Sequence, residues 1–295
     1  ELLQKAFGGH LRWVSIDPFT GRQSGNNIEK GTIQVNQLRP FGAGRSCSAS
    51  AIEALGSEGD HMAGTERLPP GQYEIDEFPR FGLAQFARRF PNDARQFKLS
   101  VRGDVEQSIT VEDELRDLPR VDQETDFHCV TTWTRRSLRW SGFRFADFYE
   151  QIVVPRARPQ RDATFVILRG QDGFAPSLPL SDLLAPDVLL ADSLDGKPLS
   201  IEHGAPLRLV APAHYGYKNA KHLCGVEFWR DDREYRSASL RFMDHPRARV
   251  AFEERGRGVP GWVLRYLYRP LVRPTIRQFR RALEQHLSEF VPPSG

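Results

Sequence analysis

Between residues 97 and 229 the chain consists of short apolar segments of strand length, separated by turns and by helical segments that are equally short. The segments "QFKLSVRG", "TFVILRG", "VLLADSL", "PLRLVAP" and "CGVEFW" each match a buried or half-buried strand. Within this segment neither the nucleotide-binding motif Gly-x-Gly-x-x-Gly nor the phosphate-loop motif occurs. This pattern predicts an α+β fold rather than a doubly wound parallel sheet.

Local patterns predict where helices and turns lie between these strands. A helix is predicted in "SITVEDELRDLP", with Thr110 as its N-cap. A second helix is predicted in "GFRFADFYEQIV", with its aromatic side chains facing inward, and Ser181 is expected to cap a third in "LPLSDLLAP". Asp195 and Gly196 predict a tight turn between two strands.

Composition divides the chain into three parts. Residues 1–68 are rich in Gly and Ser and predict an N-terminal extension of unknown role, with one candidate strand in "GTIQVNQL". Residues 69–235 form the predicted central domain. Residues 236–295 carry 12 arginines against five acidic residues, a net charge of +7 that leaves −4 on the rest of the chain. In this basic helical tail Pro274 is expected to begin a helix, whose apolar face is formed by Ile276, Phe279, Leu283, Leu287 and Phe290.

Composition and cysteine content indicate the class of protein and its compartment. With 39% hydrophobic and 27% charged residues the chain is typical of a globular protein, and no apolar run reaches the roughly 18 residues of a spanning helix. Three widely spaced cysteines do not suggest a disulfide framework, and no export signal is visible. We therefore expect a cytoplasmic protein, with an exported form as the alternative. No Cys-x-x-Cys-His motif occurs, so no haem is expected in this chain.

Cys129 stands at the end of the predicted strand in "DFHCVTTWTRRSLRW" and admits three interpretations. A nucleophile paired with His128 is disfavoured because neighbouring side chains of a strand point to opposite faces. A zinc site lacks ligands, since no Cys-x-x-Cys pair occurs and His222 with Cys224 offers only two. The third interpretation is a small buried hydrophobic side chain, which a lone cysteine at a strand end usually is.

The segment "EHGAPLRLVAPAHYGYKNAKHLCGVEF", residues 202–228, brings basic side chains close to glycines. Arg208 lies on a predicted strand, and Lys218 and Lys221 follow a glycine-containing turn. Arginine, lysine and closely approaching backbone together are typical of a phosphate-binding cradle. A solvated charged loop would explain the same residues without a ligand.

Taken together, these two elements resemble the molybdopterin-binding domain of the sulfite oxidase family. The motifs "LPPGQ", "FPRFG", "DFHCVTTW", "LPLSDLL", "HGAPLR" and "YGYKNAKHL" occur in the order and spacing of its bacterial sulfite-oxidase-like members, over residues 68–232. The resemblance implies a mixed-sheet molybdopterin-binding fold and a molybdenum-molybdopterin cofactor. Such a cofactor carries the oxygen-atom and electron transfer, while the protein positions and tunes it.

The resemblance also implies roles for individual residues. Cys129 matches the cysteine whose thiolate ligates molybdenum, which suits a soft ligand that must be deprotonated to bind. Asp172 lies in an Asp-Gly-aromatic loop near the metal and, with Cys129, is the expected catalytic residue. The residues expected to contact the cofactor are Arg80, Phe81, His128, Cys129, Gly170, His203, Arg208, Lys218, Asn219, Ala220 and Lys221.

The chain departs from the family pattern at positions that bear on its substrate. The run 130–133, Val-Thr-Thr-Trp, replaces the Cys-Ala-Gly-Asn-like run of sulfite oxidases, and Thr131 stands where methionine sulfoxide reductases usually carry Glu. The expected substrate is therefore a small oxyanion or an S- or N-oxide, with neither preferred. The dimerisation domain of sulfite oxidases also has no counterpart in the 60 or so residues that follow the motifs.

The resemblance predicts a molybdopterin-dependent oxidoreductase that exchanges electrons with a separate partner. Trp133 and Trp140 are expected to wall its pocket, and Arg135, Arg136 and Arg139 to rim it or simply to form a solvated face; a basic rim would favour an anionic substrate or an acidic redox partner. The alternative function is a non-catalytic binding protein of the same fold, whose basic tail docks to an anionic partner: a nucleic acid, a membrane or an acidic redox protein. For the enzyme, nucleic acid and membranes are not the partners that we expect.

Overall fold

The computed structural model describes residues 67–290, so the candidate strand in "GTIQVNQL" and Cys47 lie outside the described residues. The described strands are β1 (Tyr73–Glu74), β2 (Leu99–Gly103), β3 (Ile109–Val111), β4 (Arg120–His128), β5 (Trp133–Arg144), β6 (Phe165–Gly170), β7 (Ser177–Pro179), β8 (Leu189–Leu194), β9 (Lys197–Pro198), β10 (Arg208–Val210) and β11 (Leu223–Trp229).

The helices in the same part of the chain are short, with one exception near the C-terminus. The α-helices are α1 (Phe145–Phe148), α2 (Val154–Ala157), α3 (Leu180–Leu183), α4 (Gly261–Tyr268) and α5 (Val272–Phe290). A π-helical turn, Tyr149–Val153, joins α1 to α2. The 3-10 turns are Ala84–Phe86, Asp113–Asp117, Gly216–Lys218, Arg241–Met243 and Arg269–Leu271. None of the helices in residues 67–290 combines the length and apolar content needed to cross a bilayer.

The strands form two mixed sheets. In the first sheet β5 pairs antiparallel with β4 and β8 and parallel with β1, and β8 continues the sheet to β9 and β10. The second sheet has the order β3-β2-β11-β6-β7, in which β11 runs parallel to β2 and antiparallel to β6. Mixed pairing in both sheets, with short helices between the strands, confirms the predicted α+β fold.

One hydrophobic core joins the two sheets. It contains Phe143 and Leu190 from the first sheet, Val101 and Phe228 from the second, and Phe145 from α1, each with at most 2% of its surface exposed. Alternate side chains of a strand point to one face, so each sheet presents one apolar face to the other sheet and to α1. This shared core holds the ends of β4, β6 and β10 in fixed positions relative to one another.

Two local predictions are wrong and one matches the structure. Thr110 lies in β3, paired with β2, because its β-branched neighbours favour a strand over a helical turn. Ser181 lies inside α3 rather than at its N-cap, since Pro179 precedes the first helical residue. Asp195 and Gly196 form the predicted turn between β8 and β9, both with positive φ.

The C-terminal helix α5 packs on the domain with only part of its predicted apolar face. It begins two residues before Pro274, whose missing N–H falls in the first helical turn, where amides have no helical partner. Phe279 and Ala282 are buried against Ala87, at 3% and 5% exposure. Leu287, by contrast, is 48% exposed. The apolar face is therefore buried in its first half only.

Polar contacts also tie the segment after residue 236 to the rest of the domain. The Arg247 guanidinium donates to both oxygens of the buried Asp182 carboxylate in α3, with Nε–Oδ2 at 2.7 Å. Arg255 is fully buried and donates to the carbonyls of Val130, at 2.6 Å, and Pro70, at 2.9 Å. The described part of the basic tail thus reaches the loop that carries Cys129.

Candidate active site

Cys129 lies in a tight reversal between β4 and β5, as the strand prediction implied. Its N–H donates to the Trp133 carbonyl at 2.8 Å, and the Thr132 N–H donates to the Cys129 carbonyl at 3.1 Å. Thr132 has φ 92°, a conformation that β-branched residues rarely adopt. Gln72 adds a hydrogen bond from Nε2 to the Cys129 carbonyl at 3.0 Å. The reversal and Gln72 together fix the position of the cysteine.

The Cys129 thiol is buried in an apolar cluster with Trp133 and Val272. Burial raises the pKa of the thiol to about 11, although the Thr131 hydroxyl, 3.1 Å from Sγ, opposes the rise. A thiolate at this position therefore needs a cationic partner such as a metal ion. Residues 67–290 contain no group of three or more His, Cys, Asp or Glu side chains arranged to hold a metal. Residues 67–290 therefore offer no further ligand set for a metal on Cys129, which fits a metal whose other ligands belong to a cofactor.

A cavity of about 360 Å³ has Cys129 in its wall. Its lining comes from the loop around residues 78–86, from the loops around Cys129 and Asp172, and from residues 239–279. Aromatic and aliphatic side chains predominate, among them Phe81, Trp133, Phe174, Tyr268, Leu271 and Phe279. A cavity of this size and composition is suited to a bound cofactor or small organic ligand.

Two cations, the fully buried Arg208 and the partly buried Lys221, lie together at one side of this cavity. Arg208 is fully buried, donates from Nη1 to the His203 carbonyl at 2.8 Å, and lies 4.7 Å from the centre of the Trp140 ring. Lys221 lines the cavity and donates from Nζ to the Glu202 carbonyl at 2.9 Å. Burial lowers the pKa of Arg208 to about 9 and, with the charge of Arg208, that of Lys221 to about 7. Neither cation has a carboxylate within ion-pair distance among residues 67–290.

Three buried polar atoms around these cations have no hydrogen-bond partner in the described part of the chain. They are Arg208 Nη2, His203 Nδ1 and His222 Nε2, and each such group costs about 1–3 kcal/mol. Gly204 has φ 110°, and a Cβ there would lie 3.2 Å from side-chain carbons of Arg208 and Lys221. The unsatisfied nitrogens and the two cations converge as they would around a phosphate or another anion.

In two further residues predicted to contact the cofactor, the charged group binds to other parts of the protein. Lys218 is fully buried, with Nζ 3.2 Å from Asp244 Oδ1, and it lies beside the cavity rather than in its wall. Arg80 lies in the wall, but its guanidinium donates to the carbonyls of Ala87, at 2.6 Å, and Arg89, at 2.7 Å. Arg80 therefore holds its own loop in shape, and Lys218 holds the C-terminal segment.

The predicted contacts Asn219 and Ala220 shape the backbone beside Lys221. Asn219 lines the cavity, and its Oδ1 accepts a hydrogen bond from the Ala211 N–H at 2.7 Å. The Ala220 carbonyl accepts from the Leu209 N–H at 2.9 Å. These bonds anchor the loop to the strand that carries Arg208 and so keep the two cations together.

The loop that follows β6 brings Asp172 into the cavity wall. Asp172 Oδ1 accepts from the Phe174 N–H at 2.9 Å, and burial raises the pKa of the carboxyl group. A Cβ at Gly170 would lie 2.6 Å from Asp172 Oδ1 and 2.5 Å from the Lys221 carbonyl. Gly170 therefore permits the close approach that sets Asp172 and Lys221 in the same cavity.

His128 and Trp140 do not line the cavity. His128 Nδ1 lies 2.9 Å from Thr134 Oγ1, in a strand pair whose side chains alternate between faces, so its ring is directed away from Cys129. Trp140 is buried, and its ring lies against the Arg208 guanidinium. Trp140 therefore supports the cation cluster from behind, whereas Trp133 alone of the two tryptophans walls the cavity.

Of the two alternatives for the three arginines of β5, a rim around the cavity or a face outside it, the structure excludes the rim. Arg135, Arg136 and Arg139 are absent from its lining. Arg136 Nε lies 3.7 Å from Asp126 Oδ2, and Arg139 Nε lies 3.9 Å from Asp195 Oδ1. Carboxylates on the neighbouring β4 and on the turn after β8 draw these side chains away from the cavity.

The wall that residues 239–279 contribute to the cavity was not predicted from the sequence. Met243, Tyr268, Leu271 and Phe279 all line the cavity, and the Phe279 ring is stacked on Phe81 with 6.5 Å between ring centres. Phe279 was predicted to face inward, but the loop residues carry no periodic signal. The C-terminal segment therefore completes the site.

Comparison with known proteins identifies the family. Residues 87–236 match the model of the oxidoreductase molybdopterin binding domain. The chain is 35% identical to the uncharacterized oxidoreductase YuiH of Bacillus subtilis over 167 residues, 56% of this chain and 81% of that protein. It is 27% identical to the protein-methionine-sulfoxide reductase catalytic subunit MsrP of Campylobacter jejuni over 157 residues, 47% of this chain and 51% of that protein. This chain thus spans about half the length of that subunit.

Among solved structures, the sulfane dehydrogenase SoxCD of Paracoccus pantotrophus matches with 19% identity and a TM-score of 0.42, over 52% of this chain and 44% of that chain. The family match includes Cys129, Asp172 and the cation pair, whereas Arg80, Phe81 and the wall from residues 239–279 lie outside it. With half of its length matching that model, the chain belongs to the oxidoreductase molybdopterin-binding domain family, as its sulfite-oxidase-like motifs predicted.

Proposed function

We propose that this oxidoreductase removes oxygen from an uncharged organic S- or N-oxide rather than acting on a small oxyanion. The observation that carries the proposal is the composition of the cavity. Beside Cys129 the lining is aromatic and aliphatic, from Trp133 to Tyr268 and Phe279, while the cations lie together at one side around Lys221. An apolar surround favours a substrate with an apolar body and a single polar bond.

The residues of the site fit a molybdenum-molybdopterin cofactor. Cys129 offers a soft sulfur ligand, and its raised pKa means that a metal is needed to hold the thiolate form. Arg208, Lys221 and the free ring nitrogens of His203 and His222 offer partners for a phosphate. When bound, the cofactor supplies the oxygen-atom and two-electron chemistry.

The protein's own side chains then position the substrate and exchange protons. Reduction of a sulfoxide consumes two electrons and two protons and yields a sulfide and water. We assign proton exchange to the Asp172 carboxyl, because it lines the cavity and burial raises its pKa. The aromatic walls exclude bulk water around the substrate.

A small oxyanion is the less suitable substrate for this cavity. In the loaded site Arg208 and Lys221 would face the cofactor phosphate, and the Arg80 guanidinium is already held by carbonyl groups. Among the cavity-lining residues that the structure describes, an anion beside Cys129 would therefore lie among apolar side chains, with no further cation in the lining. Such desolvation of an unpaired charge is strongly unfavourable.

Electrons are proposed to come from a separate partner protein. The support is indirect: the relative from Campylobacter jejuni is named as a catalytic subunit, which implies a second subunit for that enzyme. A cytoplasmic location for this protein and its electron donor stays a prediction from the cysteine content.

The test is a substrate screen on cofactor-loaded protein. Reduced viologen serves as donor for methionine sulfoxide, dimethyl sulfoxide and trimethylamine N-oxide, and ferricyanide as acceptor for sulfite. We expect turnover of at least one oxide, no sulfite oxidation, and loss of molybdenum and activity in Cys129→Ala. Cys224→Ala is the matched control, because Cys224 lies outside the cavity. Sulfite oxidation without oxide reduction would refute the proposed substrate class.

A further inference from the structure

The stretch from residue 255 to 283 contains eight arginines and no acidic residue. It spans α4, the 3-10 turn Arg269–Leu271 and most of α5. Arg255, Arg265 and Arg280 have carboxylate partners, in Glu253 and Glu77. Within the described part of the chain no carboxylate forms an ion pair with four exposed members of the set, Arg269, Arg273, Arg277 and Arg281.

Large apolar side chains are exposed on the same helices. Trp262, Tyr266, Leu267 and Leu271 have between 53% and 61% of their surface exposed. Trp262 and Tyr266 are four residues apart and form one row along α4. Leu267 lies about 100° further round the helix, and Leu271 in the following 3-10 turn continues from it, so these two leucines lie between the aromatic row and the buried side. The opposite side buries Leu264 and Tyr268 against the domain. This helix thus has two apolar sides, and the described domain covers only one of them.

Exposed apolar side chains flanked by arginines are suited to a partner that is both apolar and anionic. We call Trp262, Tyr266, Leu267, Arg269, Leu271 and Arg273 the arginine–aromatic surface. Trp and Tyr prefer the headgroup level of a bilayer, Leu inserts just below it, and Arg binds lipid phosphates. Nucleic acid or an acidic protein would use the arginines but would leave the exposed leucines without a partner.

We propose that the arginine–aromatic surface docks the protein to a membrane containing anionic phospholipid. This departs from the sequence-based expectation that membranes are not partners, because the exposed aromatic rows were not foreseen. Leu271 belongs both to this surface and to the cavity lining. A docked protein would therefore hold the wall of its active-site cavity close to the bilayer, within reach of a membrane-bound electron donor or an apolar substrate.

The test is vesicle flotation of the full chain. Vesicles of phosphatidylcholine alone are compared with vesicles containing about one third phosphatidylglycerol, at low and high NaCl. We expect binding to the anionic vesicles, weakening with salt, and little binding to phosphatidylcholine. Arg273→Gln should weaken binding about fivefold, the share of one basic residue near an anionic surface. Trp262→Ser should weaken it roughly tenfold, by loss of the inserted ring.

Two matched variants serve as controls. Val154→Ser removes an exposed apolar side chain on α2 (43% exposed), and Arg161→Gln removes an exposed arginine before β6. Both should bind within twofold of the wild type, and thermal melting should show that every variant is folded. Failure of the wild type to bind anionic vesicles would overturn the proposal. So would binding lost in Arg273→Gln but unchanged in Trp262→Ser, which would point to an acidic protein or a nucleic acid.

Discussion

Replacement of Arg208 by methionine should stabilise the cofactor-free protein and disable the loaded one. The guanidinium is fully buried, its Nη2 has no hydrogen-bond partner within residues 67–290, and no carboxylate there forms an ion pair with it. A cation in this position is costly unless an anion is bound beside it. Methionine has a similar length and no charge, so it fills the space without the desolvation penalty.

The expected magnitude follows from the balance of these effects. Burial lowers the pKa of Arg208 from 12.5 to about 9, which corresponds to a penalty on the order of 5 kcal/mol for the charged form. Methionine forfeits the hydrogen bond to the His203 carbonyl and the contact with the Trp140 ring, together about 2–3 kcal/mol. The net gain is about 2–3 kcal/mol, or roughly 4–12 °C in Tm for a domain of this size.

The assay compares wild type, Arg208→Met and Arg208→Lys, each made in a host with and without the cofactor pathway. Without cofactor, Arg208→Met should melt highest, while Arg208→Lys, which keeps a buried cation, should gain nothing. With cofactor, the wild type should retain molybdenum and gain stability by binding, and Arg208→Met should retain at least tenfold less. If Arg208→Met melted below the wild type without cofactor, this would refute the claim that the buried Arg208 cation destabilises the protein until an anion binds beside it.

Three further predictions follow from the same contacts. Because burial and the Arg208 charge lower the folded-state pKa of Lys221 to about 7 from 10.5, the unfolded chain binds a proton above pH 7 that the folded chain has lost. The free energy of unfolding of the cofactor-free protein should therefore rise between pH 7.5 and pH 8.5. Urea unfolding should show that this rise is about 1 kcal/mol larger in the wild type than in Lys221→Met. Asp182→Asn should lower the free energy of unfolding by about 2 kcal/mol. This is less than the loss expected for a fully buried ion pair, because Arg247 is 43% exposed. Equal urea midpoints for wild type and Asp182→Asn would contradict this prediction. Leu271→Ala should raise KM for a bulky sulfoxide severalfold with little change in kcat. The reason is that Leu271 lines the cavity, where it would contact the apolar body of the proposed substrate rather than the reacting bond. An unchanged KM would show that Leu271 does not contact the substrate.

The sequence predicted those parts of the fold and site that local chemistry determines. The strand that ends at Cys129 and the Asp195–Gly196 turn depend on neighbouring residues, so periodicity and turn propensity were sufficient. The ordered motifs predicted that Arg208 and Lys221 contact the cofactor, and the structure brings these two side chains together. Where propensities conflicted, as at Thr110, pairing with β2 prevailed over a local capping signal.

Contacts between distant segments decided what the sequence could not predict. Asp244 lies 26 residues from Lys218 and pairs with it, which removes a cation from the expected phosphate cradle. Arg136 and Arg139 turn to carboxylates on neighbouring elements instead of the cavity. Tyr268 joins the cavity wall although nothing around it repeats with a period that marks a site. Each of these outcomes depends on which surfaces meet in three dimensions.

The electrostatics of the site identify its ligand by an argument that does not depend on family likeness. Cys129 is held as a neutral thiol, Lys221 is poised to lose its proton, and Arg208 is buried without a counter-charge. A buried cation without an anion is destabilising, and a buried thiol cannot ionise without a metal, so an ordinary core would replace at least the two cations by apolar side chains at a gain in stability. A ligand that pairs a thiophilic metal with an anionic group relieves all three at once, because the metal stabilises the thiolate and the anion stabilises the cations. Loading should therefore raise stability by more than any one of these contacts contributes, and removal of any one partner should leave the other two uncompensated.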